Sequence, residues 1–395
     1  MRDLTNLKTF IIDSENPREV DDAFSLELVE VNKKKLWIHI SNPCKYFSTD
    51  SKIDIEARNK SSSLYLIDEY SPMLPYEIIE KANLNQNKIS DTISASILFN
   101  EDGSINKYEI LEAKIKPKYQ LTYDDADEII ELEPKQEFEI VEIKNLLLKS
   151  INYRRSQGAI IFDTPGYKIN INNGLVEIDI TQKNISQTIV SETMILMGYV
   201  TSLYLFENNI ATPYRTHQIN CDAKEILEKY KDSDIKYSIL KQYMGKSYIT
   251  TKANKHESLG LKLYTQCTSP LRRYLDLIVQ RQVYNKLANF DQLNINKIVE
   301  IIDYTRVKQS EINNIYKNDK LKYLNLFFSK SNKTYYKIIF IKWINNKKNI
   351  ALVYLPEYAL ELLIILYITV DAYTNKSYKV KFNKNDNNNL LEFIH

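Results

Sequence analysis

Cysteine, histidine and glycine are all scarce in this sequence, and the first two scarcities narrow what the chain can be. The three cysteines (Cys44, Cys221, Cys267) lie far apart and form no Cys-x-x-Cys pair, which argues against a disulfide framework and against a zinc knuckle. The four histidines (His39, His217, His256, His395) show no His-x-x-x-His spacing, so a histidine-rich zinc site is disfavoured too. A reducing compartment suits such usage. The N-terminal MRDLTNLKTF has neither an apolar core nor an Arg/Ser-rich transit pattern. The longest nearly continuous apolar stretch, Leu362–Val370, falls far short of the ~20 residues of a membrane span. The expectation is a cytoplasmic or organellar protein (plastid stroma if organelle-encoded) that is not secreted. Glycine, at 7 of 395 residues, is far below the ~7% of an average chain. With 29 tyrosines and abundant Lys, Asn and Ile, this reads as the mutational bias of an AT-rich genome, not as a functional signal.

What is present is a balanced charge, 53 Lys+Arg against 51 Asp+Glu. A protein that only coats nucleic acid would be more basic; balance suits an enzyme whose acidic site and basic substrate path offset each other. Length alone suggests two or three domains. Thr9–Asp13 and Leu36–Ile40 read as strands, as does Ala23–Val31, with Phe24, Leu26 and Leu28 on one face and Ser25 and Glu27 on the other. Lys33-Lys34-Lys35 reads as a charged turn between the last two. Asp50–Ser63 reads as a polar helix leading into an extended Leu64–Ile67. Ala126–Gln157 has helical spacing broken near Pro134, and Ser186–Phe206 is apolar nearly all round and so a buried helix. After Asp319 the texture changes. Thr334–Trp343 and Ile350–Leu355 are strand-like, the tail ends in an Asn/Lys-rich Asn383–Asn389, and a boundary is expected near 325–335. This stretch has the size of a small five-stranded barrel such as the OB fold.

Two segments carry chemistry. IIDSENPREVDDAFSLE, Ile11–Glu27, sets Asp13, Glu15, Glu19, Asp21 and Asp22 between two strands with only Arg18 to balance them. Crowded carboxylates are costly unless a cation neutralises them, and hard oxygen ligands suit Mg²⁺, with Mn²⁺ as an alternative. The loop lacks the glycine and spacing of an EF-hand; on its own it reads more readily as a solvated surface turn, with Asp and Pro as turn formers. YTQCTSPLRRYLDLIVQRQV, Tyr264–Val283, reads as a helix capped by Ser269 or Thr268 with Pro270 in its first position. Arg272 and Arg273 then fall in the first turn, facing the positive end of the dipole, which makes sense if an anion sits there. The plainer reading is an ion pair between Arg272 and Asp276. Together, a carboxylate–metal cluster and an anion-binding helix start are the two halves of a phosphodiester hydrolysis site.

These two segments resemble the acidic and arginine signatures of the ribonuclease II family, the RNB-domain exoribonucleases that include ribonuclease R. Between them, Ser63–Pro75, Thr122–Ala126, Gly158–Pro165, Ile189–Leu196 and Pro213–His217 resemble family blocks in the family's order, so the match spans nearly all of residues 4–325. The resemblance implies an α+β fold: an RNB catalytic domain over 1–328, a mixed sheet packed with helices around an RNA channel, then a degenerate S1-like (OB-type) β-barrel over 329–395. It implies an Mg²⁺-dependent 3′→5′ exoribonuclease that hydrolyses single-stranded RNA to nucleoside 5′-monophosphates. The alternative is a catalytically weakened or inactive RNA-binding relative. Asp13, Asp21 and Asp22 match the family's metal-site aspartates, with Glu19 where the family usually has a fourth. Asp21, Asp22 and Arg272 are the implied catalytic set, Arg272 as the transition-state arginine with Arg273 beside it on the RNA. Tyr65 and Phe162 are implied to contact terminal bases, Tyr123 the last nucleotides, and Glu192 a ribose. Twelve residues precede Asp13, so the family's paired N-terminal cold-shock-like barrels are expected to be absent, leaving a place for a protein partner. A monomer is expected.

Overall fold

The computed structural model describes residues 1–30, 33–219, 221–367, 377–383 and 390–393. Val31, the end of the apolar stretch Leu362–Val370, most of the Asn/Lys-rich Asn383–Asn389 and His395 lie outside the described residues. The early strands are β1 (Arg2–Asp3), β2 (Thr9–Asp13), β3 (Asp22–Glu30), β4 (Lys33–Ser41), the short pair β5 (Leu64–Tyr65) and β6 (Tyr70–Ser71), β7 (Ser90–Phe99), β8 (Ile105–Ile115) and β9 (Tyr119–Thr122). All but β5 and β6 join one mixed sheet in the order β1-β8-β7-β4-β3-β2-β9, parallel at β1/β8 and β2/β9 and antiparallel elsewhere. Two short helices, α1 (Lys52–Lys60) and α2 (Tyr76–Ala82), follow β4 and β6.

The four residues Thr9, Phe10, Ile11 and Ile12 are all buried. A strand without alternation needs cover on both faces. Phe10 and Ile12 join the main core with α3 (Tyr123–Leu132), α4 (Phe138–Ser156) and α5 (Ile185–Glu207), while Ile11 packs with Leu4, Val20, Ala23, Trp37 and Leu84 on the other face. The break expected near Pro134 falls between α3 and α4. Among the described residues α5 is long and apolar enough to cross a membrane; its Ile189, Leu196, Met197, Val200 and Leu205 fill the core. Two-sided cover also corrects the reading of β3. Ser25 is fully buried, bonded to His39 Nε2 at 2.9 Å, whereas Leu28, near the strand's end, is exposed. The three lysines are not a turn. They open β4 opposite Glu30, Leu28 and Glu27, and Lys35 lies 3.6 Å from Glu27.

The second half adds the hairpin β10 (Gly166–Asn172) and β11 (Leu175–Thr181), the pair β12 (Tyr214–Thr216) and β13 (Tyr248–Thr250), and the helices α6 (Ala223–Lys229), α7 (Lys236–Tyr243), α8 (Tyr274–Leu287) and α9 (Ile295–Lys330). Helix α9 is long, yet sequence periodicity hides it. Its apolar residues serve two separate cores, Ile298, Ile301 and Ile302 against α8 and Leu324 and Phe328 in the barrel. That barrel closes from β14 (Tyr336–Asn345), β15 (Ile350–Leu355), β16 (Leu360–Ile365), β17 (Ser377–Phe382) and β18 (Leu391–Phe393), in the order β14-β15-β16-β18-β17. The architecture is the expected α+β mixed sheet with helices, followed by a small β-barrel.

Candidate active site

The acidic loop is short because β2 and β3 are antiparallel neighbours, so Asp13 ends one strand and Asp22 begins the next. On the far side of β2, Asp13 pairs with Thr122 of β9. Thr122 caps α3 through a reciprocal box with Asp125, which satisfies free amide groups at the helix start and sets Tyr123 beside Asp13. Adjacent strands thus deliver Asp13, Asp22 and Tyr123 to one end of the sheet. The loop is pinned there: Val20 N donates to Asn83 Oδ1 at 2.9 Å, and Leu84 N donates to Val20 O at 3.1 Å.

The arginine segment meets this loop from the other side. Asp21 Oδ1 accepts from Leu271 N at 2.9 Å, and Asp21 Oδ2 lies 3.4 Å from Arg272 Nε. The expected helix start is corrected here. Helix α8 begins only at Tyr274, with Arg273 in an extended conformation before it, so both arginines sit in the turn that precedes the helix. Asp276, in the first turn of α8, accepts from Ser269 N at 3.0 Å and from Arg273 at 2.7 Å. Arg273, not Arg272, therefore makes the local ion pair, and Arg272 is left to the acidic loop.

A cavity of about 500 Å³ lies over these groups, lined by Asp13, Asp22, Tyr123, Arg272 and Arg273, together with Lys183 just before α5 and Gln187 and Ser191 in its first turns. Burial dominates its electrostatics. Asp22 is pushed up to about 7, first by burial and then by the charges of Asp21 and Asp13. Asp21 is raised to about 6 by burial, with Arg272 opposing, and Asp13 is raised by burial although Ser14 hydrogen bonds offset part of it. Burial works against the charge of Arg272, but Asp21 and Asp22 outweigh it and raise its pKa.

Among the described residues no three acidic, histidine or cysteine side chains converge tightly enough to enclose an ion by themselves. Mg²⁺ needs less, since it binds through one or two carboxylates and fills its remaining positions with water and phosphate oxygens. Asp13 and Asp22 in one cavity meet that need. The buried Asp21 Oδ2 behind them accepts no hydrogen bond and has Arg272 Nε 3.4 Å away as its ion-pair partner, so the carboxylates here outnumber the one guanidinium that faces them. The residues fit a divalent cation.

The remaining sequence-predicted residues scatter. Phe162 lines an adjoining cavity of about 450 Å³ with Arg215, Lys241, His217 and His256; Tyr264 and Gln266 line both cavities. Tyr65 lines neither of these two cavities. It sits behind the acidic loop on β5, its hydroxyl bonded to Glu19. Glu19 likewise turns from the cavity that Asp13 and Asp22 line. Glu192 is a correction: it is buried, holding Arg154 Nε at 2.9 Å and Ser150 Oγ at 2.8 Å, with a second contact to Arg154. A carboxylate so paired has no face for a ribose. On α5 the neighbouring Ser191 reaches the cavity instead. Sequence reasoning missed Lys183, Ser191, Gln266 and Arg215, although Arg215 stands inside the PYRTH block and was legible as a buried-site cation. Arg215 donates to Gln266 Oε1 at 2.6 Å and Ser247 Oγ at 3.0 Å.

A mixed sheet that presents carboxylates at one end to an arginine turn, with a barrel beyond, defines the class of this protein. The family model described as RNB domain matches residues 1–289, and the chain belongs to the RNB domain family. It is 31% identical over 364 residues to an uncharacterized ribonuclease of Synechocystis, covering 91% of this chain and 55% of that one. It is 32% identical over 289 residues to the chloroplastic/mitochondrial ribonuclease II of Arabidopsis thaliana, covering 71% of this chain and 36% of the relative. The chain therefore spans about half or less of the length of these relatives. Among solved structures, Mycoplasma genitalium RNase R in complex with ribose-methylated single-stranded RNA superposes with a TM-score of 0.84 at 21% identity, covering 100% of this chain and 72% of that one.

Proposed function

We propose that this chain is a divalent-metal-dependent 3′→5′ exoribonuclease acting on single-stranded RNA. The observation that carries the reading is the convergence of Asp13, Asp22 and Arg272 on one cavity that shares Tyr264 and Gln266 with a second cavity lined by Phe162, Arg215 and Lys241. Kinship with proteins named ribonuclease II and R supports the substrate class, and the family resemblance supports the direction and the product. In this reading residues 1–328 form the catalytic domain and the barrel at 329–395 adds RNA contacts.

Asp13 and Asp22 would hold Mg²⁺ or Mn²⁺, which when bound would neutralise charge at the attacked phosphate and lower the pKa of water. Arg272 faces the same phosphate, where its guanidinium stabilises charge that grows on the equatorial oxygens. Asp21 fixes the turn that carries Arg272 through Leu271 N. Water adds to the last phosphorus and the bond to the 3′ oxygen of the preceding nucleotide breaks. A nucleoside 5′-monophosphate leaves, and the shortened strand keeps a 3′ hydroxyl. Tyr123 closes the cavity beside Asp13, and Phe162 offers a face on which a base stacks without sequence preference.

The test is to incubate the purified chain with a 5′-labelled oligoribonucleotide, with and without Mg²⁺. Metal-dependent shortening in single-nucleotide steps supports the enzyme. Retarded but intact RNA in both conditions would instead establish a binding protein.

A further inference from the structure

Glu19 belongs to the acidic loop by position, yet its contacts all run away from the cavity. It is 5% exposed. One carboxylate oxygen accepts from Ser63 Oγ at 2.7 Å, and the other accepts from the Tyr65 hydroxyl. Ser63 is itself a junction. Its Oγ accepts from Met73 N at 2.8 Å, and its N donates to Arg272 O at 3.0 Å. The chain on either side is also fixed: Tyr274 N donates to Ser61 O at 2.9 Å, and Tyr65 N donates to Tyr316 Oη at 3.1 Å. The ring of Tyr65 is 40% exposed and leans on Tyr70 at 5.2 Å between centroids. The buried Tyr70 hydroxyl stands beside the same carboxylate, and burial followed by the Glu19 charge raises its pKa.

We propose that Glu19 is a positioning residue that fixes the exposed Tyr65 ring to the backbone of the arginine turn, and that it is not a ligand of the metal. The side-chain length explains the choice. An aspartate at this position is one methylene shorter and does not span the gap to both Ser63 and Tyr65. Because Ser63 bonds Glu19 with its side chain and Arg272 with its amide, the orientation of Tyr65 and the placement of the arginine turn are coupled. The carboxylate also stands within reach of a second phenol, Tyr70, so the tie has an alternative donor if Tyr65 is drawn toward a base. This inference rests on the proposed RNA chemistry only for what Tyr65 touches; the tie itself does not.

Three readouts on the full chain test it: Mn²⁺ titration, affinity for a 5′-labelled oligoribonucleotide in chelator, and thermal unfolding. Glu19→Gln preserves acceptance from Ser63 and contact with Tyr65, so Mn²⁺ affinity is expected to stay near wild type, whereas Asp22→Asn loses it. Glu19→Asp and Tyr65→Phe each break the tie and are expected to weaken RNA binding by roughly tenfold, the scale of one hydrogen bond to a charged group. The Glu19→Asp/Tyr65→Phe double variant should be no weaker than either single, since both remove one interaction. Loss of Mn²⁺ affinity in Glu19→Gln equal to that of Asp22→Asn would make Glu19 a ligand and overturn the proposal. Additive losses in the double variant would do the same. If the wild type binds no RNA at all, the function proposed above fails, and the tie is then judged by the same cycle in unfolding, where non-additivity supports it and additivity refutes it.

Discussion

The two cavities that meet at Tyr264 and Gln266 are built on opposite principles. The first places Asp13 and Asp22 against Arg272, Arg273 and Lys183, so charges of both signs face one space and burial raises the pKa of each carboxylate. The second has Arg215 and Lys241 around Phe162, and no acidic side chain among its lining residues. His256 adds little charge, since burial pushes it down to about 4, helped by His217 and Arg215. Mixed charge in a confined space suits a reacting phosphate that needs a metal on one side and a guanidinium on the other. Cations with an aromatic face suit a strand that is held and not cut. On the proposed function, the difference gives chemistry to one cavity and grip to its neighbour.

The largest expected effect breaks the pair apart at the first cavity. Asp22→Asn and Arg272→Ala should each lower turnover by at least ~10², the scale of losing one preorganised charge at a transition state. RNA affinity should change far less, because the second cavity is untouched. Single-turnover cleavage and anisotropy binding on the same oligonucleotide separate the two. Equal losses in both would mean that the cavities do not divide the work.

That division is only partly legible in the sequence. The strands flanking the acidic loop, the break near Pro134 and the buried α5 follow from periodicity and from proline. The convergence of Asp13 with Tyr123 does not, because it depends on β2 pairing in parallel with β9 across more than a hundred residues. The arginines illustrate a second limit. Ser269 and Pro270 are good helix-start residues, yet Asp276 accepts from Ser269 N and from Arg273, closing the segment into a turn that ends before the helix. Side-chain contact with a distant loop, here Asp21 with Leu271 N, overrides local propensity. Glu192 shows the third. A motif places a residue on a helix but not on a face of it, and at this position the face belongs to Arg154.

A smaller effect sharpens the comparison from the side of the second cavity. Phe162 stands 5.4 Å from Tyr237 and has Lys241 over its ring at 5.9 Å. Phe162→Ala removes one stacking face, worth ~1–3 kcal/mol, so binding should weaken on the order of tenfold while turnover of bound RNA is little changed. Lys241→Gln should instead lower the salt dependence of binding, by about one unit of slope if the lysine meets a phosphate. Loss of turnover at saturating RNA in Phe162→Ala would move this ring into the chemical step.

The smallest effect concerns stability, and it isolates the cost of the first cavity without any RNA. Asp22 rises from an ordinary 3.8 to about 7 in the folded chain. Below about pH 3.8 the carboxyl is neutral whether the chain is folded or not, and it contributes no pH dependence. Between these values the unfolded chain ionises it while the folded chain keeps the proton, so stability falls as pH rises, and the loss is complete above about 7. Asn at this position cannot ionise. In metal-free buffer Asp22→Asn should therefore match wild type at about pH 3.5 and exceed it by a few degrees in melting temperature at about pH 8, a gap of roughly that size being resolvable by a thermal scan. Mg²⁺ reverses the order, because it binds the ionised carboxylate and only the wild type has one. It should raise the wild-type melting temperature at about pH 8 far more than at about pH 5, and leave Asp22→Asn nearly unmoved. Parallel pH profiles for the two proteins, with the same response to Mg²⁺, would show that Asp22 is neither strained in the folded chain nor part of a metal site, and the contrast between the cavities would lose its physical basis.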